Sequence, residues 1–331
     1  MRKIIVLFLL TLFLFICCTK NQESPYTVGI FQFTDAPTLN DVRKGIIRAF
    51  EDNGLRDGNT IRLIQRNARG RIPEVHRIAQ EFVEEKVNMI VALSTPCLQA
   101  ALIATHEIPI IFSSVANPYL AGAGKSADNH RSNVSGVSSR GPIKESLAFI
   151  RKILPQAKRL GTLWTPAELN SEYYLELARE VARELDFEIV AVSIANGSEV
   201  LHSTQVLINQ KIDAMYQISD NTNNAAFADI GNVAAENAVP LFGGFLLSTH
   251  RGACAALGWD FFEMGLKAGE IAIRVKNGES PAGIPIQYMS KLRMSLNLNA
   301  AKKQRITFPD QVLKEAHEVL EEEEEEEEKV K

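Results

Sequence analysis

From Tyr26 onward, apolar runs of strand length alternate with segments of helical period. Residues 26–33 predict a strand. After them Leu39, Val42, Ile46, Ile47 and Phe50 fall at offsets 0, 3, 7, 8 and 11, one face of a helix that Asn53-Gly54 stops. The pattern recurs as a strand over 61–66 and a helix from Pro73 with Val75, Ile78, Ala79, Phe82 and Val83 on one face. A strand over 88–93, a helix over 97–106 and a strand over 108–113 follow. Pro73 suits a first helical turn, where its missing N–H removes no bond. A second series predicts strands over 160–164, 187–194, 213–218 and 239–242, with helices over 171–185, 199–210 and 222–238 between them. Such alternation builds parallel sheets with helices on both faces. Two series predict an α/β chain of two doubly wound parallel-sheet lobes.

In sheets of this kind a ligand sits in the crevice beyond the carboxyl ends of the strands. The residues just after the predicted strands are small and polar, and they supply the candidate ligand-binding set: Asp35, Ser94, Thr95, Ser114, Asn117, Glu168, Asn170, Asp220, Asn221 and Asp260. Hydroxyls and helix N-terminal amides suit a carboxylate, and Asp220 with Asp35 or Asp260 suits an ammonium. Phe33, Tyr119, Phe242, Phe245 or Trp259 can supply an apolar wall. The same residue types at the same positions are also ordinary N-caps of the next helix.

The first seventeen residues read as a lipoprotein signal peptide: Arg2 and Lys3, then Ile4 to Ile16 broken only by Thr11, then Cys17-Cys18. That apolar run spans roughly 20 Å as a helix, short of the ~30 Å hydrocarbon core of a bilayer. Residues 18–25 turn polar and read as a tether, so the segment resembles the leader of a bacterial lipoprotein. Cys18 is the favoured lipid acceptor, because the small Cys17 precedes it; a cut before Cys17 would follow the bulky Ile16. Cys97 and Cys254 lie in apolar segments far apart and are expected to be buried free thiols.

Composition narrows the function classes. The chain has 331 residues, 46% of them hydrophobic, with 36 Lys+Arg against 40 Asp+Glu, which is the profile of a globular protein. The formal charge of −4 is carried by the tail, since residues 321–331 hold eight Glu and two Lys. A near-neutral body argues against nucleic-acid binding. The Glu run reads as a solvated tail. No G-x-S-x-G, H-E-x-x-H, C-x-x-C or glycine-rich dinucleotide motif occurs. His130 and His250 lack a local acidic or nucleophilic partner, and no metal, cofactor or enzymatic activity is expected.

Several stretches together resemble the ABC-transporter substrate-binding proteins that include tryptophan-binding and other aromatic amino-acid-binding lipoproteins. They are Val28-Gly29-Ile30, Ser94-Thr95-Pro96, Ile108-Pro109-Ile110-Ile111-Phe112, Asn133-Val134-Ser135-Gly136-Val137, Leu154-Pro155-Gln156-Ala157-Lys158, Glu168-Leu169-Asn170-Ser171, Ser219-Asp220-Asn221-Thr222 and Ala256-Leu257-Gly258-Trp259-Asp260. The resemblance implies a type I periplasmic-binding fold whose hinge is crossed three times, near 135–139, 258–260 and 285–289. The N-terminal lobe would then be 26–136 plus 259–285, and the C-terminal lobe 137–258 plus 286–320. It also implies a monomer that captures a small molecule, an amino acid with aromatic ones among the candidates. The cargo would pass to an ABC permease and its ATPase from a lipid anchor facing the periplasm or cell exterior. Relatives usually carry Asp-Pro where this chain has Asn117-Pro118, and Asn-Pro where it has Thr165-Pro166, which removes one carboxylate from the expected site. The alternatives are a ligand-binding ectodomain for a sensor partner and a lipid-anchored surface adhesin.

Overall fold

The computed structural model describes residues 25–321. The leader, Cys17 and Cys18, and all of the acidic tail after Glu321 lie outside the described residues.

The first lobe opens with β1 (Tyr26–Gln32), α1 (Pro37–Asp52), β2 (Ile61–Asn67), α2 (Ile72–Glu84), β3 (Met89–Leu93), α3 (Thr95–Ala104), β4 (Ile110–Val115) and β5 (Val134–Ser138). The second contains α4 (Ile143–Ile153), β6 (Arg159–Trp164), α5 (Leu169–Glu184), β7 (Glu188–Ser193), α6 (Val200–Ile208), β8 (Ala214–Gln217), α7 (Asn221–Ala225), α8 (Phe227–Glu236), β9 (Leu241–Gly243) and β10 (Ala255–Gly258). The chain then returns to the first lobe as α9 (Phe261–Lys276) and β11 (Gln287–Tyr288). It ends in the second as β12 (Arg293–Asn297), α10 (Leu298–Lys303), α11 (Asp310–Glu315) and β13 (Glu318–Leu320).

One sheet has the order β11-β5-β4-β3-β1-β2 and the other β13-β12-β10-β9-β8-β6-β7. Each core therefore repeats one doubly wound order, with switch points between β1 and β3 and between β6 and β8. Central strands such as β3 are buried along their whole length, as a sheet covered on both faces requires, whereas the edge strand β2 buries only Ile61 and Ile64. The second sheet is not wholly parallel: β12 runs antiparallel to β10, pairing Arg293 with Gly258.

The chain passes between sheets after Ser138, after Gly258 and after Tyr288. Strand pairing runs past the lobe boundaries drawn at 136 and 285, while staying inside the crossing ranges 135–139 and 285–289. β5 keeps pairing in the first sheet as far as Ser138, opposite Val115, and Gln287 and Tyr288 pair with Val137 and Ser138. Another difference is the helix expected over 222–238, which breaks at Ala226 into α7 and α8.

Helix α9 joins the first lobe through close backbone packing on α1. A Cβ on Gly45 would stand 2.2 Å from the carbonyl oxygen of Phe262, and one on Gly265 2.2 Å from that of Val42. Only glycine permits this approach. Met264, Ala268, Ile271, Ala272 and Val275 of α9 consequently enter the core of the first lobe. This contact fixes where the second crossing, Trp259-Asp260, delivers its side chains.

Candidate functional site

The carboxyl ends of both sheets face each other across one cavity. Its first-lobe wall includes Thr38 in the opening turn of α1, with Ser114 near the end of β4 and Ala116 just after it. The second lobe gives Asn170, Tyr174, Ser219, Asp220, Asn221, Asn224 and Gly244, and the crossings give Ser139, Gly141, Pro142, Trp259 and Phe261. The space open to the centre of a water molecule is about 20 Å³, little more than one water needs. The lobes stand closed on each other, and a larger molecule enters only when the hinge opens.

The second-lobe wall is built on two buried carboxylates. Asp220 caps α7 by accepting from the Asn223 amide at 2.7 Å, and its other oxygen accepts from Ser171 Oγ at 2.7 Å, Asn223 Nδ2 at 2.7 Å and Thr165 Oγ1 at 3.2 Å. Glu168 lies behind the wall, accepting from the side chains of Asn170, Asn221 and Thr222 and from the Asn221 and Thr222 amides. Burial, and then the charge of Glu168, raises the pKa of Asp220 above the ordinary carboxylate range. Facing the cavity, Asn170 and Asn224 each spend their amide N–H on a neighbour, Glu168 and Ser219 respectively, and leave a buried Oδ1 with no hydrogen-bond partner. Unpaired buried acceptors are costly. They mark where a donor from outside is wanted.

Behind the first-lobe wall the unpaired groups are of another kind. Ser94 Oγ, Thr95 Oγ1 and Ser113 Oγ are buried without partners at the carboxyl ends of the adjacent strands β3 and β4. Ser94 (φ 103°) and Ser114 (φ 57°) hold left-handed backbone conformations, and such strain in non-glycine residues gathers at ligand sites. These hydroxyls, beside the N-terminus of α3, suit an anion.

The hinge is tied to the same cavity. Tyr174 donates to the Ser139 carbonyl at 2.8 Å and accepts from the Gly141 amide at 3.1 Å; burial keeps its phenol neutral by raising its pKa. Trp259 Nε1–H donates to the Arg140 carbonyl at 2.8 Å. Two cavity-lining aromatics therefore hold the first crossing, and one of them sits on the second.

Of the residues singled out from sequence, Ser114, Asn170, Asp220 and Asn221 line the cavity. Ser94 and Thr95 sit buried at the same end of the first sheet, and Glu168 is one layer back. Three lie elsewhere. Asp35 accepts from Asn40 Nδ2 at 2.6 Å on α1. Asn117 spends its oxygen on the Tyr119 and Leu120 amides, closing a turn. Asp260 caps α9 and pairs with Arg293 at 2.9 Å, beside a separate groove of about 390 Å³. The carboxylate near Asp220 is therefore Glu168, and neither Asp35 nor Asp260. Phe33, Phe242 and Phe245 are core residues, and Tyr119 bonds Tyr288 within the first lobe, so of the expected apolar wall Trp259 alone lines the cavity. Sequence reasoning missed Thr38, Ser139, Tyr174, Asn224 and Phe261. His250 meets Glu318 at 3.0 Å once β13 is in place. Cys97 and Cys254 are buried free thiols, and among the described residues no group of His, Cys, Asp or Glu is placed to hold a metal ion.

A family model described as ABC transporter substrate binding protein matches residues 27–320. The chain belongs to this family. It is 35% identical over 284 residues to a tyrosine-binding protein of Clostridioides difficile, covering 86% of this chain and 81% of the relative. Among solved structures it resembles a conserved domain protein of Vibrio cholerae, with a TM-score of 0.86 at 28% identity over 89% of this chain and 100% of that one. An ABC domain in complex with L-Trp from Streptococcus pneumonia gives a TM-score of 0.85 at 25% identity, over 90% of this chain and all of that one. The ligand-free, open structure of a substrate-binding protein with adhesive properties from Clostridium difficile gives 0.66 at 30% identity, over the same shares of both chains. The family and fold are those of solute-binding proteins, which act outside the cytoplasm. Among the described residues no helix is long and apolar enough to cross a membrane.

The binding protein's Asp220 makes a specific demand on stability. Its folded pKa is raised, so its contribution is full below the ordinary value of about 3.9 and is lost as pH rises through the folded value. Asp220→Asn is expected to remove that fall from urea-unfolding free energies measured across pH, and an unchanged slope would contradict the assignment. Asp220→Ala leaves three side-chain donors and a backbone amide unanswered and is expected to destabilise by about 1–3 kcal/mol.

Proposed function

We propose that this chain captures an aromatic amino acid between its lobes and, from a lipid anchor on the extracytoplasmic side of a membrane, delivers it to an ABC permease. The observation that carries the reading is the pair of unpartnered amide oxygens, Asn170 Oδ1 and Asn224 Oδ1, beside the buried carboxylate of Asp220. An ammonium brings three donors and one positive charge to that place. The zwitterion's carboxylate then points to the first lobe, at Ser94, Thr95, Ser113 and Ser114, and its side chain packs on Trp259, Phe261 and Tyr174. The tyrosine-binding relative and the L-Trp complex support an aromatic side chain.

Capture works by hinge closure. A ligand that touches one lobe first gains its second set of contacts only when the lobes meet, and this difference drives closure. Anchoring rests on the leader and on Cys18, or Cys17, which place the lipid a short tether from the first strand. The relative with adhesive properties is itself a substrate-binding protein, so adhesion would add to capture and not replace it.

Calorimetric titration of the mature chain with L-tyrosine and L-tryptophan is expected to give binding that weakens at least about 100-fold, or 2.7 kcal/mol, when the ammonium or the carboxylate is deleted from the ligand. Equal affinity for the des-amino acid would remove the ammonium pocket. Replacing both Cys17 and Cys18 by Ser is expected to move the exported protein from the membrane fraction to the soluble one, and retention in the membrane would refute the lipid anchor.

A further inference from the structure

The ammonium pocket stands on two buried carboxyl groups and, among the described residues, no buried cation beside them. Glu168 and Asp220 are each 1% exposed, and neither takes part in an ion pair among the described residues. The groups bonded to Asp220 are neutral on every side: Thr165 after β6, Ser171 on α5 and Asn223 on α7. Around the cavity Tyr174 is the other titratable group, and it is held neutral by burial. Thr38, Ser114, Trp259 and Phe261 face the pocket from the first lobe and the crossing without charge. Glu168 is therefore the one charge acting on Asp220 from close by.

A carboxyl buried with no cation beside it holds its proton more firmly, and burial, then the neighbouring Glu168, act on Asp220 in that direction. Glu168 is the better solvated by the protein, since five hydrogen bonds reach it, two of them from backbone amides. The proton belongs on Asp220. We propose that Glu168 is a positioning residue that never touches the ligand: it orients Asn170 and Asn221 toward the cavity and makes Asp220 hold a proton that the incoming ammonium displaces. Capture then releases one proton to solvent. The buried cluster carries a charge of about −1 before binding, as carboxylate plus carboxylic acid, and about −1 after it, as two carboxylates plus one ammonium. The positive charge of the ammonium takes over the role of the proton. This proposal rests on the ammonium reading of the site.

The test is calorimetric titration of the mature chain with L-tyrosine in buffers of different ionisation enthalpy, repeated from about pH 5 to pH 8. The charge state of the amino acid itself does not change in that interval. The wild type is expected to release close to one proton per ligand at the acid end, with affinity rising up to about tenfold per pH unit and levelling once Asp220 is ionised without ligand. In Glu168→Gln the second charge is gone, so Asp220 ionises at lower pH. Proton release and the slope of affinity should both shift toward acid, a change that a purely structural role for Glu168 would not produce. Binding of L-tyrosine with no proton exchange at any pH would overturn the proposal and leave the ammonium pocket standing. Absence of binding by any amino acid would take down both. The wild-type proton count decides the matter even where the variant fails to fold.

Discussion

A buried charge needs a partner, and the second lobe of this protein leaves that partner to come from outside. Asp220 and Glu168 are buried beside α7, where helix amides and neighbouring hydroxyls solvate them, yet no cation answers them among the described residues. Desolvated charge without a counter-ion is expensive. A natural protein carries such an expense where function returns it. The unsatisfied oxygens of Asn170 and Asn224 sit on the same wall. At the first sheet's carboxyl end, behind the cavity lining, the unpaired groups are hydroxyls, and the proposed zwitterion would set one end toward each lobe.

The hinge and the cleft share parts. Tyr174 and Trp259 line the cavity and also hold the backbone of the first crossing. A ligand side chain lying on them would bear directly on the segment that bends. The glycine contact between α1 and α9 makes the arrangement stiff where it must be, because it locks α9 into the first lobe. Trp259 and Phe261 pack on the core of that lobe.

Much of this was legible in the sequence because it follows from periodicity. Apolar strands buried on both faces and helices with one apolar stripe announce a doubly wound sheet, and two series announce two lobes. Candidate residues picked after strands lie near the switch points: Ser94 and Thr95 after β3, Asp220 and Asn221 after β8. Position after a strand does not say which way a side chain turns, and there the reading ran out. Asp35, Asn117 and Asp260 occupy equivalent places, yet local hydrogen bonds and the Arg293 pair take their oxygens away from the cavity. Tyr174 was hidden because it lies inside a helical pattern and looks like a core residue. Ser139 belongs to a crossing, which has no period of its own, and Phe261 opens α9 directly after one. Glu168 was singled out for its charge, but its role behind the wall depends on five contacts, four of them to residues more than fifty positions away in the chain.

The central claim is the orientation of the ligand. A crystal structure of the mature chain with L-tyrosine tests it most directly. The account predicts the ammonium nitrogen within hydrogen-bond reach of Asp220, Asn170 and Asn224, and the carboxylate at the β3 and β4 ends beside Ser94 and Thr95. A carboxylate lodged against Asp220, or an amino acid bound outside the cleft, would contradict it.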